Sequence, residues 1–188
     1  MPNRILLIFF VVMVGSGLCG CERKVRNQTH LPNQTEFSGV DISAEGRKLQ
    51  DFYLEDIRDG KEVSRGMFVD RVLLVAFVAS WCPLCREEML DLQELRKFLP
   101  ENDFSALGVA STEEDLDEIK VIVKQLNLSY PMVVNDPELE KSFGSVSTVP
   151  VAFLVDRQGL IRKKYLSHLD ISVVKADIES LLNRGNKS

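Results

Sequence analysis

The sequence predicts an α/β domain with a mixed sheet. Three observations carry that expectation. Val72-Leu73-Leu74-Val75-Ala76-Phe77-Val78 is an unbroken apolar run that reads as a strand buried on both faces. Segments with helical apolar stripes follow it, and a turn-centred strand pair stands on each side of them, giving the order β-hairpin, βαβ, α, β-hairpin, α.

Phe52-Tyr53-Leu54 and Lys61-Glu62-Val63 flank Asp59-Gly60, a hairpin turn signal, so a short edge hairpin is expected ahead of the main sheet. The central strand follows over residues 72–79. From Glu87 to Leu99, apolar Met89, Leu92, Leu95, Phe98 and Leu99 recur at three- and four-residue steps, which predicts one helix face packed on the sheet, ended by Pro100. Phe104 to Ala110 is the next strand. Ser111 or Thr112 can cap the helix after it, with Glu113, Glu114 and Asp115 in a first turn where negative charge is favourable, and Leu116, Ile119, Val123 and Leu126 as its buried stripe. Met132-Val133-Val134 reads as a short strand and Pro137 to Phe143 as one or two helical turns capped by Asp136. Val151 to Val155 and Leu160 to Tyr165 are strands joined at Arg157-Gln158-Gly159, and Asp170 caps a last helix with Ile171, Val174, Ile178 and Leu181 on one face.

The first 20 of the 188 residues read as a secretory signal rather than as fold. Arg4 supplies a positive start, Ile5 to Val14 an apolar segment too short for a comfortable membrane span, and Gly15-Ser16-Gly17 a run of small residues. Leu18-Cys19-Gly20-Cys21 resembles the bacterial lipobox, which implies cleavage before Cys21 and acyl chains on that cysteine as a membrane anchor. Residues 21–48 are polar, contain Pro32 and lack a sustained apolar period, so they read as a tether. Residues 49–188 then form one domain. Cleavage removes Cys19 and lipidation consumes Cys21, leaving Cys82 and Cys85 of the four cysteines. The formal charge of −5 argues against nucleic acid as a partner.

Trp81-Cys82-Pro83-Leu84-Cys85 sits between the central strand and the first helix. A Cys-x-x-Cys at such a junction is the layout of a thiol–disulfide site, because the helix N-terminus presents unpaired N–H groups and partial positive charge that favour thiolate. Cys82 is therefore the expected nucleophile. Pro83 suits the first helical position, and Cys85, one turn along, can attack a mixed disulfide on Cys82. A zinc site would need two further ligands, and past residue 21 the only histidines are His30 and His168. A purely structural disulfide over so short a span would constrain the unfolded chain very little.

Trp-Cys-x-x-Cys after a buried strand, together with Thr148-Val149-Pro150 before a later one, resembles the thioredoxin superfamily. The resemblance covers about residues 48–185 and implies a thioredoxin fold, a central mixed sheet flanked by helices with an N-terminal β-hairpin. It further implies a cis Pro150 against the Cys-x-x-Cys, a Val149 backbone free to pair with substrate, and substrate contact at Trp81 and Pro83. Ala79-Ser80-Trp81-Cys82 and the stretch from Val149 to Asp156 with Gly159 look like the membrane-tethered TlpA/ResA branch of disulfide reductases. That branch implies an acidic residue near the second cysteine, at the end of the strand after the active-site helix. Counting from Cys85 gives Glu113, and counting back from Tyr130-Pro131 gives Glu114.

The Pro83-Leu84 dipeptide carries no basic or histidine side chain to add thiolate stabilisation, which favours a reductant over a strong oxidant. The implied partners are protein disulfides, with apocytochrome c haem-site cysteines as a family-level suggestion, and a membrane reductant of the DsbD or CcdA type. No cofactor or metal is required. The implied location is extracytoplasmic and membrane-anchored, and Glu22 after Cys21, in place of the Asp that marks inner-membrane retention, favours an outer membrane if the cell has one. The rival reading is a Sco-like copper-delivery protein using Cys82, Cys85 and His168, since thiolates and imidazole suit copper. A peroxiredoxin would need a Pro-x-x-x-Thr/Ser-x-x-Cys motif that neither cysteine supplies.

Overall fold

A computed structural model describes residues 40–41, 45–111, 116–144 and 146–185, all within one compact unit, Thr35–Ser188. The elements in chain order are β1 (Val40–Asp41), β2 (Tyr53–Glu55), β3 (Glu62–Ser64), a single 3₁₀ turn (Arg65–Phe68), β4 (Val72–Val78), α1 (Pro83–Phe98), β5 (Phe104–Ala110), α2 (Leu116–Gln125), β6 (Met132–Val134), α3 (Pro137–Phe143), β7 (Val151–Val155), β8 (Ile161–Leu166) and α4 (Ile171–Gly185).

Six strands form one mixed sheet in the order β1-β8-β7-β4-β5-β6. Strand β4 runs parallel to β5 and antiparallel to β7, and every residue of β4 is buried, as its continuous apolar run requires. Alternation along it divides the core in two. Leu74, Ala76 and Val78 meet Met89, Leu92 and Leu95 of α1, Ile119 of α2 and Val174 and Ile178 of α4. Leu73, Val75 and Phe77 face the other way, onto Leu139 and Phe143 of α3 and onto Phe153. Phe77, Phe143 and Phe153 pack as a trio with centroids 4.8 to 5.8 Å apart, mostly edge-on, the arrangement the ring quadrupole favours.

The caps expected at α3 and α4 form. Asp136 accepts from the N–H groups of Glu138 (2.8 Å) and Leu139 (3.3 Å), and Asp170 from those of Ser172 (3.0 Å) and Val173 (3.3 Å). At the β7–β8 turn, Asp156 accepts from the N–H groups of Gln158 and Leu160, and Gly159 takes φ 80°, where a side chain would be strained. Of the expected start of α2, Thr112 and the acidic turn Glu113, Glu114 and Asp115 lie outside the described residues, and Ser111 donates its N–H to the Val78 carbonyl.

Three details depart from the sequence pattern. The first hairpin forms with Tyr53 opposite Ser64, but β2 and β3 make a sheet of their own instead of an edge of the main one. It is stitched to edge strand β6 through Ile57 N–H to the Met132 carbonyl (2.7 Å) and through buried Asp56, which accepts from Met132 N–H (3.3 Å) while paired with Arg58. Second, paired backbone extends into the segment read as a tether: β1 lies antiparallel to β8, and Gly46, Arg47 and Leu49 exchange hydrogen bonds with Ile161 and Gly159. These contacts are made by backbone groups, so no apolar period announces them. Third, Phe98 is 66% exposed at the end of the α1 stripe, with the Lys175 ammonium 5.4 Å from its ring centre. The start of α1 at Pro83 agrees with the first helical position expected for that proline.

Gly108 in β5 shows how closely the sheet and its edge meet. A Cβ there would fall 1.8 Å from Met132 Sδ, and Met132 is itself fully buried. Gly108→Ala is expected to lower stability by about 1–3 kcal/mol through overpacking. The loss should shrink in a Met132→Ala background when denaturant midpoints are compared in a double-mutant cycle.

Candidate active site

Strand β4 ends at Val78, whose carbonyl accepts from Ser111 N–H (2.9 Å), and the chain turns through Ala79, Ser80 and Trp81 into α1. Cys82 is the N-cap of that helix, extended at φ −93° and ψ 109°, and its Sγ accepts from the Cys85 N–H at 3.2 Å. A sulfur thus takes the place usually held by a Ser or Asp oxygen, satisfying one of the helix's unpaired donors. Pro83 occupies N1, where its missing N–H leaves nothing unsatisfied. Cys82 and Cys85 are joined by a disulfide, with Cα atoms 5.3 Å apart.

Exposure separates the two sulfurs' surroundings. Trp81 is 70% exposed and Pro83 and Leu84 are also exposed, so the dithiol is ringed by accessible apolar surface. Cys82 retains 5% and Cys85 none. An incoming disulfide reaches Cys82 first.

The second loop arrives through sheet register. Phe77 of β4 pairs with Val151 of β7, so Val149 and Pro150, which precede β7, lie at the end of the sheet where the chain leaves β4 for Cys82. The Val149–Pro150 peptide bond is cis, Pro150 is buried and Val149 is half-buried.

An acidic group also meets α1, and the sequence reading does not single it out. Glu88 lies one turn past Cys85 on the buried face of α1, is 0% exposed, and neither carboxylate oxygen has a hydrogen-bond partner among the described residues. Burial pushes its carboxyl up to about 8, with the charge of Asp91 adding to the effect. Tyr130 is sealed beside this face and donates its hydroxyl to the Met89 carbonyl (3.0 Å). Its phenol is raised by burial first and then by Glu88. The signal for Glu88 was in the helical phase: it falls on the same stripe as Cys85, Met89 and Leu92, where a charged residue has no solvent. Glu113 and Glu114, the acids expected near Cys85, lie outside the described residues, as does Cys21.

His168 does not complete a metal site. Its Nε2 lies 3.5 Å from Asp91 Oδ2, and among the described residues no three His, Cys, Asp or Glu side chains converge in a way that could hold a metal ion. The copper set of Cys82, Cys85 and His168 is therefore not assembled. The imidazole engages the outer part of α1 instead.

Comparisons with known proteins agree with this geometry. A family model described as Redoxin matches residues 44–182. The thiol-disulfide oxidoreductase ResA of Bacillus cereus is 25% identical over 183 residues, covering 97% of this chain and 96% of its own length. The thiol:disulfide interchange protein DsbE of Allochromatium vinosum is 26% identical over 136 residues, covering 71% and 73%. Among solved structures, a thioredoxin-family thiol:disulfide interchange protein from Chlorobium tepidum superposes with a TM-score of 0.66 at 25% identity, covering 73% of this chain and 97% of that one. The fold is thioredoxin-like.

A raised carboxyl makes stability depend on pH with a defined sign. Between the ordinary value of 4.5 and about 8, folded Glu88 keeps a proton that the unfolded chain releases. Stability contributed by the neutral form is therefore full below 4.5 and is lost as pH rises through about 8, with a limiting slope of about 1.4 kcal/mol per pH unit. Glu88→Gln should remove that slope, raising stability relative to wild type at pH 8 and above. Denaturant unfolding of the oxidised protein at several pH values measures it.

Proposed function

We propose that this chain, which belongs to the Redoxin family, is a thiol–disulfide oxidoreductase that reduces protein disulfides outside the cytoplasm. The observation that carries the reading is the placement of Cys82 as the sulfur cap of α1, with Cys85 and the unpartnered Glu88 sealed behind it. Its relatives' names describe thiol–disulfide oxidoreduction and interchange, and the chain matches one of them over nearly its whole length.

In the reductive cycle the Cys82 thiolate, stabilised by the helix N-terminus and the Cys85 N–H, attacks one sulfur of a substrate disulfide. That bond breaks, the released substrate sulfur takes a proton from solvent, and Cys82 holds the other sulfur as a mixed disulfide. Cys85 then passes its proton to the Glu88 carboxylate, attacks Cys82 Sγ and expels the second substrate sulfur as a thiolate, which takes a proton from solvent. Burial holds the Glu88 carboxyl up to about 8, well above the ordinary carboxylate range, which suits it to take up a proton. Glu88 takes the role that the resemblance gave to Glu113 or Glu114.

The direction is supported by the motif. Pro83 and Leu84 carry no charge, so nothing between the cysteines stabilises the reduced form beyond the helix terminus itself. Trp81, Pro83 and the Val149–Pro150 segment would bear on the substrate, the free backbone of Val149 pairing with an extended chain. Anchoring through a lipidated Cys21, a tether ahead of β1, recharging by a DsbD- or CcdA-type membrane protein and apocytochrome c as substrate belong to the same proposal. Among the described residues no helix is long and apolar enough to cross a membrane, which fits an anchor outside the fold.

In the reduced protein, iodoacetamide should modify Cys82 before Cys85, with an apparent pKa below about 8.5. Cys85→Ala should accumulate mixed disulfides with substrate proteins, while Cys82→Ala should abolish insulin reduction without forming them. Peptide mapping of the labelled cysteine decides the roles, and preferential labelling of Cys85 would reverse them.

A further inference from the structure

Glu88 poses a problem of access. A group that takes a proton from Cys85 in each cycle must return it to solvent, yet Glu88 and Cys85 are both 0% exposed. The route cannot be the mouth of the site while substrate covers Cys82.

Helix geometry offers another. Cys85, Glu88 and Asp91 follow one another at three-residue steps along α1, and each such step turns the side chain back by about 60°. The row therefore runs from the buried face at Cys85 to the helix margin at Asp91, and side chains three apart are neighbours. Asp91 is 26% exposed, and its Oδ2, itself buried and without a hydrogen bond among the described residues, lies 3.5 Å from Nε2 of His168, which is 40% exposed. His168 stands in the short connection between β8 and α4, directly after Ser167 at φ 66°.

We propose that Asp91 and His168 are the solvent end of a proton path whose inner end is Glu88, so that Cys85 exchanges its proton with water along α1. The proposal rests on the reading of Glu88 given above. In the resolution step the Cys85 proton moves to the Glu88 carboxylate as the Cys82–Cys85 bond forms and the bond from Cys82 to the substrate sulfur breaks, the substrate leaving as a thiolate. The proton then passes to Asp91, to the His168 imidazole and to water, and the sequence reverses when the disulfide is reduced. No further oxidant or reductant is involved.

The surroundings isolate this row. On α1 itself Glu87 and Glu94 raise the Asp91 carboxyl after burial does, while His168 lowers it. Tyr130 faces Glu88 from the loop before β6, with Arg58 and Arg96 acting on that phenol. Strands β4 and β5 turn only apolar side chains towards α1, among them Ala76, Val78 and Ala106. From α4, Asp170 is engaged by Ser172 and Lys175 lies over Phe98. Asp91 and His168 are thus positioning residues that act through Glu88.

The test is a rapid acid-quench experiment on the reduced full chain mixed with glutathione disulfide, in which mass spectrometry follows formation and decay of the mixed disulfide across pH. Asp91→Asn should slow decay about tenfold or more, less than the ~10²-fold or greater loss expected for Glu88→Gln, and leave formation unchanged. Asp91→Glu should restore it. His168→Gln, an exposed change that leaves the core intact, should alter the pH dependence of decay while leaving that of formation unchanged. Wild-type decay and pH profile in both Asp91→Asn and His168→Gln, alongside slow decay in Glu88→Gln, would overturn the path while leaving the role of Glu88 standing. Equal slowing of formation and decay in Asp91→Asn would also overturn it, by showing a structural role. Wild-type decay in Glu88→Gln would remove the underlying reading and the path with it.

Discussion

The hydrogen bond from the Cys85 N–H to Cys82 Sγ ties the fold to its chemistry. It exists because a strand buried on both faces delivers the chain directly into a helix whose first turn has donors and no side-chain oxygen to cap them. A sulfur in the cap position satisfies the backbone and at the same time becomes the group most favoured as an anion. Pro83 keeps that terminus free of an extra unsatisfied N–H, and the apolar stripe of α1 holds the helix on the sheet so that the cap cannot drift. The site is therefore built from backbone geometry, with the side chains around it supplying burial.

Behind the cap the helix carries a defect in stability terms. Glu88 is sealed on the face of Met89 and Leu92, with no partner for either oxygen among the described residues, and an apolar residue of similar volume would hold α1 more firmly. The same burial moves its carboxyl into the range where thiols titrate. Asp56 shows the contrast: it is just as buried, but Arg58 and the Met132 N–H neutralise it, and it joins the first hairpin to the sheet. One buried acid is satisfied and structural. The other is unsatisfied and sits a single turn from the second cysteine.

Much of this was legible in the residues. The 72–78 apolar run, the Asp136 and Asp170 caps and the Arg157-Gln158-Gly159 turn appear where the pattern places them, because each depends on local periodicity or on one side chain reaching its own backbone. The first hairpin was legible in its pairing but not in its docking, since Asp59-Gly60 dictates a turn and says nothing of which sheet the strands join. Phe98 was assigned to the buried stripe but falls at its margin: Leu95 and Leu99 on either side of it stay in the core, while Phe98 is exposed beside Lys175. Glu88 was not singled out, although its phase on α1 already placed it inside.

The sequence by itself determined the chemistry and the order of elements: two cysteines at a strand-to-helix junction, a proline before a later strand, and a topology built from one central apolar strand. These are short-range facts, set by spacing along the chain and by what a helix terminus or a turn requires. Only the tertiary structure decided which residues meet across it. That Val149–Pro150 stands at the Cys82 end of the sheet follows from Phe77 pairing with Val151, and that His168 belongs to Asp91 follows from the β8–α4 connection passing beside α1. Register and helix packing bring together residues far apart in the chain, and one residue type at one position does not encode either.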